Sequence, residues 1–293
     1  MSARARGYIL AALAAAFYGT NPIFAVPLYG TGMNPVSVLL FRYLLGIPLL
    51  AAIVIFRSER LLPRAREVFP VALLGIIMGM SSLTLYEAYT CMDAGVASTL
   101  LFMYPILTSL LMSLFFHEKF RLSTGICLLM MGAGLYLLMD PAQQDAGIGM
   151  KGFVLIFVSS LLYAVYLVMI KVSKVLPYIP AVQSLLYQLL SGGLVFLAAV
   201  AAGDSLVLPG TLFDWGNLAA LAIFPTVLSL LFTIRAIRRI GPTPTAIFGA
   251  LEPITAVALS ILFLGENPTL REFAGGALIV LSTMLVVVAD RGK

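Results

Sequence analysis

The sequence predicts an all-α integral membrane protein with ten transmembrane helices, arranged as two inverted five-helix repeats around a central cavity. Three observations carry this. Of the 293 residues, 61% are hydrophobic and 11% charged, with a mean hydropathy of +1.05, too apolar to cover a water-exposed surface. The apolar residues gather in windows near the ~20 residues that a bilayer core demands. The chain also resembles itself when shifted by about half its length.

The windows fall at about 7–27, 35–55, 68–90, 94–114, 122–139, 152–170, 181–202, 215–234, 243–264 and 273–289. Short connections rich in Pro, Gly or charge separate them, such as "PLYGTGMNP" and "DPAQQDAGIGMKG". The first window follows Arg4 and Arg6 and has the look of a signal peptide, but a matching copy later in the chain assigns it as a retained span. Fifteen of the eighteen Lys and Arg residues lie at the termini or in alternate loops, with Lys151 and Arg271 on the opposite side and Arg42 within a window. The positive-inside rule then puts both termini in the cytoplasm, which also requires an even number of spans.

A shift of 145 residues lays "GYILAALAAAFYGTN" on "GFVLIFVSSLLYAVY", matching Gly7 with Gly152 and Tyr18 with Tyr163. A shift of 148 lays "FMYPILTSLLMSLFFHE" on "ALEPITAVALSILFLGE", matching Pro105 with Pro253 and Glu118 with Glu266. The units are thus 1–140 and 152–293, joined by an external linker over 141–151. Because five is odd, the two units insert with opposite orientation, an organisation typical of secondary transporters with a site near mid-membrane.

Enzymatic signatures are lacking. The one histidine, His117, permits neither a metal cluster nor a nucleophile–histidine pair, and Cys91 and Cys127 show no metal-ligand spacing. The GxGxxG match at 147–152 follows a linker instead of a strand, and the sequence has no Walker A motif. A continuous basic stripe suited to nucleic acid is absent too. No cofactor or metal is expected, and the expected partners are a small-molecule substrate and the lipid bilayer, with the chain a monomer or homodimer.

Polar residues inside the apolar windows are the candidate site. Thr245, Gly249 and Glu252 share a helical face, as do Ala14, Tyr18 and Asn21, Gly75, Gly79, Ser82 and Tyr86, and Ser159, Tyr163 and Tyr166. The Gly75/Gly79 pair suits close helix packing. Glu252 lies ~14 Å along its helix, where a charge costs at least ~2.5 kcal/mol, and Arg42 is similarly deep. Pro105 and Pro253 cannot donate to the carbonyls of Leu101 and Gly249, so both helices are expected to open there as hinges. The repeat sets Tyr104 opposite Glu252, Tyr187 opposite Arg42 and Tyr166 opposite Asn21. Glu252 is therefore the candidate acceptor of an ammonium group or a coupling proton and Arg42 of a carboxylate. Tyr18, Asn21, Ser82, Tyr86, Tyr104, Tyr163 and Tyr166 complete the expected substrate-binding set.

With "AAAFYGTNPIFA", "LLFRYLLGIPLL", "YPILTSLLMSLFFHE" and "EPITAVALSILFLGE", nearly the whole chain resembles the EamA type of the drug/metabolite transporter superfamily. The resemblance implies ten helices around a basket-shaped cavity and movement of small metabolites, often export of amino acids or related compounds, across a bacterial-type inner membrane. Arg42, Pro105, Glu118, Glu252, Pro253 and Glu266 fall on positions common to the family, so the resemblance says little about the substrate. The sequence departs from the family at Phe17-Tyr18-Gly19, where a tryptophan commonly precedes the glycine, which leaves any stacking in the pocket to Tyr and Phe. Import of an organic cation or nucleoside-like cofactor is the alternative expectation, and a non-transporting membrane enzyme or scaffold a more distant one.

Overall fold

The computed structural model describes residues 2–57, 63–91, 97, 100–117, 122–138, 150–252, 254–255, 258–259 and 270–291. Among these residues the regular structure is helical throughout. The chain begins with α1 (Ala3–Tyr18) and α2 (Asn21–Gly30), followed by α3 (Pro35–Phe56) and α4 (Ala65–Ala88). Next come α5 (Tyr104–Phe116), α6 (Leu122–Leu138), α7 (Met150–Val172) and α8 (Ala181–Ala201). The last group is α9 (Leu212–Leu221), α10 (Ser229–Ile240), α11 (Pro242–Phe248) and α12 (Leu270–Arg291).

Local chemistry sets several boundaries. Asn34 caps α3 by accepting from the Ser37 amide at 2.9 Å, with Pro35 at the first helical position, where no amide partner is needed. Thr211 and Asp214 form a reciprocal capping box at the start of α9. Helix α10 stops at Gly241, whose φ of 87° suits a residue without a Cβ.

Among the described residues, six segments are long and apolar enough to cross a membrane: Ala3–Gly30, Pro35–Phe56, Ala65–Ala88, Met150–Val172, Ala181–Ala201 and Leu212–Ile240. Tyr104–Phe116, Leu122–Leu137 and Phe273–Ser282 are shorter apolar helices. Large apolar side chains are exposed while some polar ones are buried with the apolar core, as suits a lipid-facing exterior: Phe56 is 90% and Leu129 76% exposed, whereas Arg42 is 0% exposed.

Two windows that the sequence presents as continuous are interrupted. The first breaks at Gly19–Thr20, between α1 and α2, because Pro22 offers no amide to the preceding turn. The eighth widens into a π-helical turn over Ala222–Leu228 around Pro225. Among the residues expected at helix openings, Pro105 follows a break at Phe102–Met103 and sits in the first turn of α5. Pro253, together with Glu118 and Glu266, lies outside the described residues.

Helix packing brings the elements of the site together. Helix α4 packs on α7 and α8, α3 on α8, α1 on α10, α5 on α7, and α6 on α12. Gly75 and Gly79 act as contact residues: a Cβ on Gly75 would strike Ser191 and Gln188, and one on Gly79 would lie 2.9 Å from the Gly192 carbonyl. The small pair thus lets α4 and α8 approach at backbone distance.

Candidate functional site

The site is built around backbone breaks caused by proline. Pro105 supplies no amide to the carbonyl of Leu101, and that carbonyl accepts instead from Ser160 Oγ of α7 at 3.0 Å. Pro225 likewise frees the Leu221 carbonyl, which accepts from Thr226 Oγ1 at 2.7 Å. The carbonyl of Gly249, four residues before Pro253, accepts from the Glu252 amide at 2.9 Å in a tightened turn. In lipid an unpartnered carbonyl costs several kcal/mol, so each break requires such a substitute.

Thr226 also binds the first of two polar clusters. Arg42 Nε donates to Thr226 Oγ1 at 2.8 Å, and Nη1 donates to Tyr86 OH at 2.7 Å and to Asn21 Oδ1 at 3.3 Å. Tyr86 OH in turn donates to Asn21 Oδ1 at 2.8 Å. The guanidinium carbon lies 5.8 Å from the ring centre of Tyr43 and 5.7 Å from that of Tyr86, within cation–π range. Four separate segments therefore hold one buried cation: α2, α3, α4 and the π-helical turn. Three buried donor atoms here, Arg42 Nη2, Asn21 Nδ2 and Tyr29 OH, have no hydrogen-bond partner among the described residues. The Tyr29 and Tyr86 rings meet edge to face at 6.4 Å.

The second cluster is a cavity of about 20 Å³, space on the order of one water molecule. Its walls bring together Tyr18 of α1, Tyr104 of α5, Tyr163 of α7, Thr233 of α10, Thr245 of α11 and the carboxylate-bearing Glu252. Tyr104 and Tyr163 meet edge to face at 4.8 Å, and Tyr18 stacks on Tyr163 at 6.5 Å. Two glycines make the enclosure tight. A Cβ on Gly249 would collide with the Tyr104 hydroxyl, and one on Gly19 would lie 2.5 Å from the Glu252 carbonyl oxygen. Tyr18 is the link between the clusters, within electrostatic reach of both Glu252 and Arg42. No ion pair joins those two charges directly among the described residues.

Of the residues expected from the sequence, Tyr18, Tyr104, Tyr163 and Glu252 converge on the cavity, while Asn21, Arg42 and Tyr86 form the adjoining network. Two stand apart. Tyr166 stacks on Tyr163 at 6.0 Å but donates its hydroxyl to Gln188 of α8 at 2.9 Å. Ser82 is buried beside Tyr43 and does not line the cavity. Sequence reasoning passed over Thr226 and Tyr29. For Thr226 the signal was available, since a hydroxyl directly after Pro225 in an apolar run marks a break and its local remedy. For Tyr29, which falls in the connection "PLYGTGMNP", no comparable signal exists.

Breaks at depth, a carboxylate and a guanidinium in separate but linked clusters, and an apolar exterior define a polytopic membrane protein built around internal polar groups. The chain belongs to the EamA-like transporter family, which it matches over residues 5–140 and again over 150–288, and so to the drug/metabolite transporter superfamily. Over 280 residues it is 24% identical to an uncharacterized transporter of Archaeoglobus fulgidus, covering 96% of this chain and 98% of that one. It is 26% identical to the uncharacterized transporter YdfC of Bacillus subtilis, covering 85% and 80%. It is 23% identical to the uncharacterized inner membrane transporter YedA of Escherichia coli K12, covering 84% and 79%. A solved crystal structure at 17% identity superposes with a TM-score of 0.83 over 98% of each chain, which establishes the shared fold.

Proposed function

We propose that this protein is a secondary transporter that exports amino acids or related zwitterionic or cationic metabolites across a bacterial-type inner membrane by alternating access. The observation that carries this reading is the convergence of Tyr18, Tyr104, Tyr163 and Glu252, drawn from both halves of the sequence, on one internal cavity. Glu252 receives the substrate ammonium or, in its place, a proton, and the tyrosine faces favour the same cation. The unpartnered Nη2 of Arg42 and Nδ2 of Asn21 supply donors for a carboxylate. A cavity of about 20 Å³ is too small for such a substrate, so loading requires the broken helices to part.

The scaffold for this motion is ten spans in two inverted five-helix units, 1–140 and 152–293, with both termini cytoplasmic. Support comes from the two stretches matched by one family and from paired contacts. Ser81 Oγ donates to the Ser159 carbonyl at 3.0 Å, and Ser229 Oγ donates to the Ala14 carbonyl at 2.8 Å. The shift of 148 relates Ser81 to Ser229, and that of 145 relates Ala14 to Ser159. Equivalent helices thus meet through equivalent hydroxyl–carbonyl bonds.

The test is flux of labelled amino acids in proteoliposomes, with and without an imposed pH gradient. Proton-coupled export requires flux that the gradient accelerates. Flux indifferent to the gradient would remove the coupling, and absence of flux for every zwitterion and cation would remove the substrate class. The trio of tyrosines also favours a second reading, uptake of a quaternary ammonium compound. Import of such a compound with no amino acid flux would select it.

A further inference from the structure

A different end of the bundle carries an unassigned concentration of positive charge. A cavity of about 480 Å³ is lined by Arg57 at the end of α3, Pro180, Ala181 and Val182 at the start of α8, and Arg235, Arg238 and Arg239 of α10. Across α10 a second cavity, of about 310 Å³, is lined by Arg6, Ile9 and Leu10 of α1 with the same Arg235 and Arg239. Five guanidinium groups therefore border two adjoining spaces, and no carboxylate is among the described lining residues.

The placement of these arginines is structured. Gly7 brings α1 against α10, since a Cβ there would lie 2.6 Å from the Ile240 side chain and 2.9 Å from Arg239 Cβ. Arg238 Nη2 donates to the Leu176 carbonyl at 2.8 Å, which fixes the guanidinium, yet its Nε is buried with no hydrogen-bond partner among the described residues. Arg239 Nη1 donates to the Arg235 backbone carbonyl at 3.1 Å, which lays that side chain along α10, and the helix sets the two shared arginines one turn apart. Arg235 and Arg238 feel each other's charge. The unfilled Nε of Arg238 within a cluster of arginines favours an anion there, and guanidinium forks match phosphate oxygens.

The neighbouring wall decides what bears the phosphate. Ile9 is 47% and Leu13 41% exposed, one turn apart on α1, and they continue the apolar side of the smaller cavity along the helix. A free phosphate has no use for such a track, whereas a phospholipid places its headgroup among the arginines and its acyl chain along Ile9 and Leu13. We propose that the two cavities flanking the end of α10 form a binding site for the headgroup of an anionic phospholipid.

The experiment uses the full chain, purified in detergent and titrated with phosphatidylglycerol, with phosphatidylcholine or with inorganic phosphate, reading thermal stability and retained lipid by native mass spectrometry. Phosphatidylglycerol should raise the melting temperature and stay bound, phosphatidylcholine should do neither, and Arg235→Gln with Arg239→Gln should weaken retention by about fivefold per arginine. If the glutamine variant does not fold, Arg235→Lys with Arg239→Lys replaces it, and retention that survives addition of salt would then overturn the electrostatic basis. Equal stabilisation by both lipids would overturn the proposal. An equal effect of inorganic phosphate would reassign the site to a soluble anion. None of these outcomes depends on transport, so the site stands or falls apart from the function proposed above.

Discussion

The Arg42 network and the Glu252 cavity meet at the break between Tyr18 and Asn21, yet they treat an internal charge in opposite ways. Arg42 is fixed by Thr226, Asn21 and Tyr86 and stacked on two tyrosines. Glu252 instead borders a small cavity, with aromatic faces and small residues around it. A cation held by many bonds keeps one orientation, while a carboxylate beside a cavity is available to exchange partners. On the function proposed above, the labour divides: the network orients and the cavity exchanges.

The largest effect should come from removing the exchangeable charge. In Glu252→Gln, flux in proteoliposomes should fall roughly a hundredfold, the equivalent of about 3 kcal/mol for a lost charge-assisted contact, and a pH gradient should no longer accelerate what remains. Unchanged flux would break the comparison, since the cavity charge would then be structural.

A smaller but broader effect is expected at Arg42. Arg42→Gln removes the donor that Thr226, Asn21 and Tyr86 share, and the stability cost should be about 1–3 kcal/mol, read as a lower melting temperature. Arg42→Lys should rescue little, because a single ammonium cannot reproduce the forked contacts to three segments. Full rescue by lysine would mean that charge alone matters there and that the network does not orient.

The smallest effect belongs to the proline breaks. Ser160→Ala leaves the Leu101 carbonyl without its donor and should cost about 1–2 kcal/mol of stability with substrate affinity unchanged. A loss of affinity without loss of stability would instead put Ser160 in the site. In the other half, position 15 is an alanine and the Gly249 carbonyl is served by its own turn. The two breaks are thus equivalent in sequence and different in their remedy.

Much of the cavity was legible because the bilayer makes local rules strict. A glutamate in an apolar window, a proline beside it and tyrosines at helical spacing all stand out against hydrocarbon, and Tyr18, Tyr104, Tyr163 and Glu252 do converge. Period alone assigns a residue to a face without saying which neighbour that face meets. Tyr166 and Ser82 share faces with site residues but do not line the cavity, and Tyr166 donates to Gln188 instead. Gly249 illustrates the same limit, for its role is to receive the Tyr104 hydroxyl, a contact no spacing within one helix encodes.

By itself the sequence determined the membrane class, the presence of long apolar helices, the two charges set among apolar residues and the positions where the backbone must lose a hydrogen bond. These follow from properties that each residue carries wherever the chain goes: transfer energy, charge and the missing amide of proline. Only the tertiary structure decided that Thr226 would bind Arg42 across 184 residues of sequence and that Ser160 would serve the Leu101 carbonyl. A side chain's partner across a helix interface is set by how whole helices pack, and many sequences with the same local pattern would pair those groups differently.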